Sequence, residues 1–144
     1  MSRNHSGEIL EVTVPSSTKH LHALGMLTKS LAESMGFESQ DSEKTALAVE
    51  EALTNVIEHA YHGKNNRKMH VIFEMKKEKF IVRIQHRGEQ IEAANVAEPD
   101  FSHFHRQNKK GGLGVLIMRR CMDEVTYKHG ARQNECCMVK YLKK

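Results

Sequence analysis

The sequence is poor in aromatic residues and in long apolar runs. It has no tryptophan, three tyrosines and five phenylalanines in 144 residues, so few side chains could stack on nucleobases. We therefore expect no direct binding to nucleic acid. No apolar stretch approaches the roughly 20 residues that a membrane-spanning helix requires, so we expect no membrane insertion.

Cysteine is also scarce. The three cysteines are Cys121, Cys136 and Cys137, and two adjacent cysteines in an odd total suit neither a disulfide framework nor a zinc ribbon. We interpret them as reduced residues used for packing. The first residues also lack the apolar segment of a secretory signal. We therefore expect a cytoplasmic protein.

The sequence does contain enough apolar material for one folded domain. Apolar residues make up 39% and charged residues 28%, and at this length a single hydrophobic core is usual, so residues 1–144 are predicted to form one domain. The charge is uneven, because residues 1–100 carry 12 Lys and Arg against 15 Asp and Glu, whereas residues 101–144 carry 10 against 3. The last third would attract anions.

Apolar periodicity predicts five strands and three helices. The strands are residues 8–14, 69–75, 80–84, 124–129 and 136–142. One helix follows a serine cap at residues 16–17 and ends at Gly36, a second covers residues 42–62, and a third covers residues 115–122. This order predicts an α+β fold, a two-layer α/β sandwich with a mixed, mostly antiparallel sheet and helices on one face.

The segment from residue 87 to residue 110 has no sustained period. Long irregular segments in small domains are usually functional, so we interpret residues 92–110 as a lid.

The second predicted helix has two distinct faces. An apolar arc that includes Leu53 lies opposite a polar column formed by Glu51, Asn55, Glu58 and His62. The column is either a solvated helix face or the wall of a cavity. Asparagine is a mediocre helix former whose amide oxygen suits a hard cation, and Glu51, one turn earlier, could take a proton from a hydroxyl.

A cluster of glycines precedes the third helix, in the stretch KKGGLGVLIMRR. Gly112 and Gly114 would let the backbone approach a ligand at the start of a helix, and Lys109 and Lys110 would add charges suited to phosphate. A flexible loop with a helix cap is the alternative interpretation. The spacing matches neither a Rossmann fingerprint nor a P-loop.

Together these motifs resemble a known family. EEALTNVIEHAY at residues 50–61 and GGLGVLIMRRCMDEVTY at residues 111–127 are similar to the ATP-binding domain shared by gyrase and histidine kinases, the GHKL (histidine-kinase-like) ATPase domain. The chain most resembles its small branch of bacterial anti-sigma factor serine kinases. The resemblance implies that ATP and Mg²⁺ are cofactors, that Asn55 holds the Mg²⁺ and Glu51 is the catalytic base, and that Gly112 and Gly114 wrap the phosphates.

Two positions depart from the family pattern at the adenine contact. His86 stands where the family has an aspartate, with Gly88 retained two residues later, and Cys136 stands where a threonine is usual. A neutral imidazole accepts one hydrogen bond and lacks the charge of a carboxylate. We expect base selection to be altered.

The resemblance implies a homodimeric regulator that binds a sigma factor and acts as a serine/threonine protein kinase on an anti-sigma factor antagonist protein. A degenerate domain that binds proteins without nucleotide is the main alternative. A zinc protein using His103 and His105, or the helical His59 and His62, is a further alternative, although the loop pair supplies at most two ligands.

Overall fold

The computed structural model describes residues 7–89 and 112–143. In this part of the chain, five strands form one sheet in the order β1-β2-β3-β5-β4. The strands are β1 Glu8–Pro15, β2 Lys68–Lys76, β3 Lys79–His86, β4 Glu124–His129 and β5 Asn134–Tyr141. All four pairings are antiparallel, so the expected mixture of parallel and antiparallel pairs is not found among the described residues.

Three α-helices pack on one face of this sheet. They are α1 Leu21–Met35, α2 Ser39–Asn55 and α3 Gly112–Cys121, with a short 3-10 helix, Thr18–His20, before α1. Gly36 ends α1 with a left-handed backbone, φ 106°, from which its N–H reaches the last carbonyls of the helix. Ser17 caps the 3-10 helix by accepting a hydrogen bond from the backbone of Lys19.

The second helix differs from its prediction at its C-terminal end. The α-helix ends at Asn55 and continues as a π-helical turn, Val56–Ala60, after which His62 has a positive φ of 54°. An extra residue in the turn rotates the following side chains relative to the α-helical period. The 3.6-residue period that predicted one continuous face from residue 51 to residue 62 therefore breaks after Asn55.

The core lies between the sheet and the helices. Alternate residues of the central strands, among them Val71, Phe73 and Phe80, are fully buried against Leu53 and Val56. Fully burying one such side chain contributes about 1.5–3 kcal/mol. The helix α2 is central, because it packs against both α1 and α3.

No described helix covers the opposite face of the sheet. Arg83 donates to Glu74 at 2.8 Å there, and Gln85 donates to Glu135 at 3.0 Å. The hydrogen bond from Arg83 lowers the pKa of Glu74. This polar network replaces helix packing over the middle of the sheet.

The three cysteines are free thiols. Cys121 and Cys136 are buried, and burial raises the pKa of Cys136 to about 12. Both therefore remain protonated at neutral pH and serve as packing residues. Among the described residues, no helix is long and apolar enough to cross a membrane.

Candidate functional site

The helix motif and the glycine motif meet where α2 contacts α3. Glu51 and Asn55 lie one turn apart at the end of α2, and Gly114 lies in the first turn of α3. A β-carbon at position 114 would lie 2.9 Å from Glu51 Oε1 and 3.4 Å from Asn55 Oδ1. Any larger residue would displace the carboxylate, so glycine at this position lets a carboxylate and an amide approach the start of a helix.

Asn55 is buried at this junction, with 3% of its surface exposed. Its Nδ2 lies 3.7 Å from Met118 Sδ of α3. Sulfur is a weak acceptor, so this contact satisfies the amide poorly. The Asn55 side chain also forms a hydrogen bond with the side chain of Tyr127, so two neighbouring side chains hold it in place.

Glu51 lies beside Asn55 and is half-buried. Burial raises the pKa of its carboxyl, and the charges of Glu50 and Glu58 raise it further. A carboxylate with a raised pKa is a better proton acceptor near neutral pH. This environment suits a general base.

The remainder of the polar column does not line the same cavity. Glu58 lies in the π-helical turn and is exposed, and His62 pairs with Glu89 at 3.0 Å at the surface. A cavity of about 810 Å³ is lined by His62 but not by Glu51 or Asn55. The prediction that all four residues line one cavity is therefore wrong, because the π-helical turn redirects the last two.

His86 ends β3 on the core side of the sheet. Its side chain is 3% exposed, its ring meets the edge of Tyr61 with centroids 6.1 Å apart, and its Nδ1 has no hydrogen-bond partner among the described residues. Burial lowers its pKa to about 4, and the nearby His129 adds to that effect. The ring is therefore neutral at pH 7, with one nitrogen free for a ligand.

Gly88 is held tightly against the end of the π-helical turn. A β-carbon there would overlap the carbonyl group of Ala60, and the N–H of Glu89 donates to the same oxygen at 3.0 Å. Asn134 Nδ2 donates to the Gly88 carbonyl at 3.0 Å. Packing alone therefore requires glycine at position 88, independently of any role in binding.

The register of the sheet places Asn134 directly opposite His86. Cys136 pairs with Ile84 on one side and with Tyr127 on the other, on the same face of the sheet as His86. Cys136 is buried and exchanges a hydrogen bond with Tyr127. Asn134 was not among the predicted site residues, because nothing in its local pattern distinguishes it from a turn residue before a strand.

Other predicted residues lie outside the described part of the chain. This group contains Lys109, Lys110, His103, His105 and the predicted lid at residues 92–110. Gly112 is described only as the first residue of α3. Among the described residues, no cluster of three or more His, Cys, Asp or Glu could hold a metal ion.

Solved structures share the fold of this chain. The catalytic domain of the histidine kinase ThkA matches 94% of the chain and 96% of its own length, with a TM-score of 0.55 and 13% identity. SiaB–SiaC from Pseudomonas aeruginosa gives a TM-score of 0.61 over 90% of the chain and 88% of the matched chain, at 13% identity. These likenesses show the fold of a histidine-kinase-like ATPase, as the sequence predicted.

The family follows from the sequence match. The family model described as the histidine kinase-like ATPase domain matches residues 14–140, and the chain belongs to this family. Membership of this ATPase family implies the use of a nucleotide.

Curated relatives support the resemblance to the anti-sigma branch. The chain is 29% identical to the serine-protein kinase RsbW of Staphylococcus aureus in an alignment of 143 positions that covers 95% of the chain and 89% of the relative. It is 27% identical to the protein of the same name from Bacillus velezensis, over 95% of the chain and 88% of the relative. The branch that the two motifs predicted is therefore confirmed.

Proposed function

We propose that this protein is an anti-sigma-factor-like regulator that uses ATP and Mg²⁺ to phosphorylate a serine on an antagonist protein. The observation that carries the proposal is the contact of Gly114 with Glu51 and Asn55. Two motifs about 60 residues apart in sequence supply a base, an amide and a helix start at one place. The names of the relatives, serine-protein kinases, support the reaction.

The residues at the junction fit the cofactors. The Asn55 amide and the Glu51 carboxylate provide hard oxygen donors of the kind that Mg²⁺ prefers, and Asn55 is the residue that would hold it. Mg²⁺ would offset the negative charge of the phosphates when bound. Gly112 and Gly114 would offer backbone N–H groups to the phosphates, with Lys109 and Lys110 adding positive charge.

Glu51 would act as the catalytic base. Its carboxylate would accept the proton of the attacking serine hydroxyl, and the raised pKa makes that transfer more favourable near neutral pH. The neighbouring Asn55 would orient the phosphate end of the nucleotide, because its amide occupies a fixed, buried position.

The base of the nucleotide would lie at the end of β3. Within the described part of the chain, the buried Nδ1 of His86 has no partner, and it can accept a hydrogen bond from an amino group or donate one to a carbonyl. Gly88 and Cys136 complete the proposed base site. His86 is neutral, so recognition there would depend on its tautomer and not on a fixed charge.

The proposed partners are a sigma factor and an antagonist protein, with the regulator acting as a homodimer in the cytoplasm. The relatives' name, serine-protein kinase, supports a protein substrate, and the SiaB–SiaC complex is a structural neighbour bound to another protein. The sigma factor and the antagonist are the partners that the resemblance to the anti-sigma branch implies. The second candidate function is a protein-binding module that no longer uses nucleotide. The replacement at His86 favours it, since a changed base contact is what loss of nucleotide binding would leave behind.

Calorimetric titration of the purified protein with ATP and Mg²⁺ tests the proposal. We expect binding by the wild type and a loss of at least tenfold in affinity for Asn55→Ala. Gln40→Ala, an exposed amide on the same helix, should bind like the wild type. Circular dichroism should show both variants folded, with a cost near 1 kcal/mol for the Asn55 amide.

The outcome also separates the two candidate functions. A wild-type protein that binds no ATP but still forms a complex with a sigma factor would support the nucleotide-independent module. Equal ATP affinity in the Asn55→Ala variant and the wild type would remove Asn55 from the site.

A further inference from the structure

The cavity of about 810 Å³ lies at the end of the sheet where β1 and β3 finish and β2 begins. Its volume is typical of sites that hold small molecules. Four basic residues line it, namely Lys64, Arg67, Lys68 and Arg87. We call it the basic cavity.

The lysines and arginines of the basic cavity form no ion pairs within the described part of the chain. None of its four lysines and arginines has a carboxylate within ion-pair distance in the described ranges 7–89 and 112–143. The acidic residue in the lining, Glu89, pairs with His62 at 3.0 Å, and His70 pairs with Glu11 at 2.9 Å. Like charges that share one cavity repel one another, so a bound anion would stabilise the protein.

A buried serine fixes the backbone on one side of the cavity. Ser16 is fully buried, and its hydroxyl donates to the Lys64 carbonyl at 2.6 Å and accepts from the Arg67 N–H at 3.1 Å. The Ser16 N–H also donates to the Arg67 carbonyl at 2.8 Å. Three hydrogen bonds therefore hold the loop that presents these two cations.

A buried tyrosine does the same on the other side. The Tyr61 hydroxyl donates to the Lys68 carbonyl at 2.8 Å and accepts from the Arg87 N–H at 2.9 Å. All four basic side chains thus extend from backbone positions that buried hydroxyl groups fix. Fixed attachment points lower the entropy cost of binding a ligand.

We propose that the basic cavity binds a small anion that carries two or more phosphate groups. Arg67 and Arg87 suit phosphate because a guanidinium group can donate two parallel hydrogen bonds to it. The volume of about 810 Å³ is in the range of sites that hold small molecules.

The basic cavity is separate from the Glu51–Asn55–Gly114 junction, none of whose residues line it. Its lining includes His86 and Gly88, so the basic cavity overlaps the proposed base site. The proposal nevertheless does not depend on ATP binding or kinase activity.

Calorimetry with inorganic tripolyphosphate at low salt and without Mg²⁺ tests the proposal on the full chain. We expect the wild type to bind and the double variant Arg67→Gln, Arg87→Gln to lose at least tenfold in affinity. The matched control is Lys76→Gln, Lys77→Gln, which removes two charges at the β2–β3 turn, at the other end of the sheet. It should bind within twofold of the wild type.

Other outcomes would overturn the proposal. Loss of tripolyphosphate binding in Lys109→Gln, Lys110→Gln, with none in Arg67→Gln, Arg87→Gln, would assign the anion to the proposed nucleotide site. Wild-type protein that ignores tripolyphosphate but binds a DNA duplex through Arg67 and Arg87 would make this a nucleic-acid surface. If the arginine variant fails to fold, Lys64→Gln, Lys68→Gln takes its place, with the same loss expected. The Asn55→Ala titration with ATP is independent of all these results.

Discussion

The junction of α2 and α3 is closed and acidic, whereas the end of the sheet near His86 is open and basic. At the junction, Asn55 is buried and Glu51 is half-buried beside further carboxylates, and the close contacts of Gly114 are to side chains. At the sheet end, the close contact of Gly88 is to a backbone carbonyl, and the basic side chains are exposed. Side chains can move away from an intruding atom and backbone cannot, so the two regions should respond differently to similar substitutions.

The largest loss of stability is expected from the substitution Gly88→Ala. The new methyl group would overlap the backbone carbonyl of Ala60, which also accepts the hydrogen bond from Glu89 N–H. We expect a loss of about 2–4 kcal/mol in the free energy of unfolding, as for other forced clashes in packed regions. Urea unfolding followed by circular dichroism measures it. Stability within 0.5 kcal/mol of the wild type would show that the loop after β3 can move away from the helix end.

The next largest effect on stability should come from His86, and this effect depends on pH. Its pKa is about 4 when folded and near 6.5 when unfolded, so below pH 6.5 the unfolded chain binds the proton more readily. The contribution of His86 to the free energy of unfolding is therefore fully present at neutral pH. It is lost as the pH falls from about 6.5 to about 4, and the loss is up to about 3 kcal/mol.

The variant His86→Gln isolates that loss, because glutamine does not titrate. Urea unfolding of both proteins between pH 7 and pH 4 gives two stability curves, and the wild-type curve should fall more steeply. Parallel curves would mean that the imidazole is protonated in the folded protein and has a partner.

Gly114→Ala should have a smaller effect on stability and a clear effect on binding. Alanine favours a helix over glycine by about 1 kcal/mol, which offsets the cost of displacing the Glu51 carboxylate, so the free energy of unfolding should change by less than about 1 kcal/mol. The displaced carboxylate and amide should reduce affinity for ATP with Mg²⁺ by tenfold or more in calorimetry. Unchanged affinity would contradict the proposed role of this glycine.

Much of the fold was predictable because it follows local patterns. The alternation of apolar and polar residues predicted the bounds of β2 and β3 to within a few residues, and the glycine after α1 predicted where that helix ends. The π-helical turn at residues 56–60 was not predictable, because the same apolar residues fit an α-helix as well. Because of that turn, His62 does not lie on the same helix face as Glu51 and Asn55, where its spacing in the sequence had placed it.

The candidate site was predictable where one element supplies the residues. Glu51 and Asn55 could be paired by helical spacing, but their contact with Gly114 depends on how α3 packs. The register of β3 against β5 also lies beyond local patterns, and it placed Asn134, not Cys136, opposite His86. Long-range packing and strand register are set by the whole chain.

The smallest expected effect concerns selection of the base at the end of β3. The Nδ1 atom of the neutral His86 ring has no partner among the described residues and suits either an amino group or a carbonyl, so we expect weak ATP binding with little preference over GTP. His86→Asp should raise the preference for ATP several-fold, since a carboxylate accepts from the adenine amino group and leaves a guanine carbonyl unpaired. Cys136→Thr should add a smaller increase, because Cys136 lies opposite Ile84, two residues from His86 along the strand. Competition between ATP and GTP in the wild type and in both variants measures the ratio of the two affinities, with His22→Asp on the exposed side of α1 as the matched control.

A wild-type protein that strongly rejects GTP would show that another residue recognises the base. Asn134, which faces His86 across the strands, would then be the residue to change next.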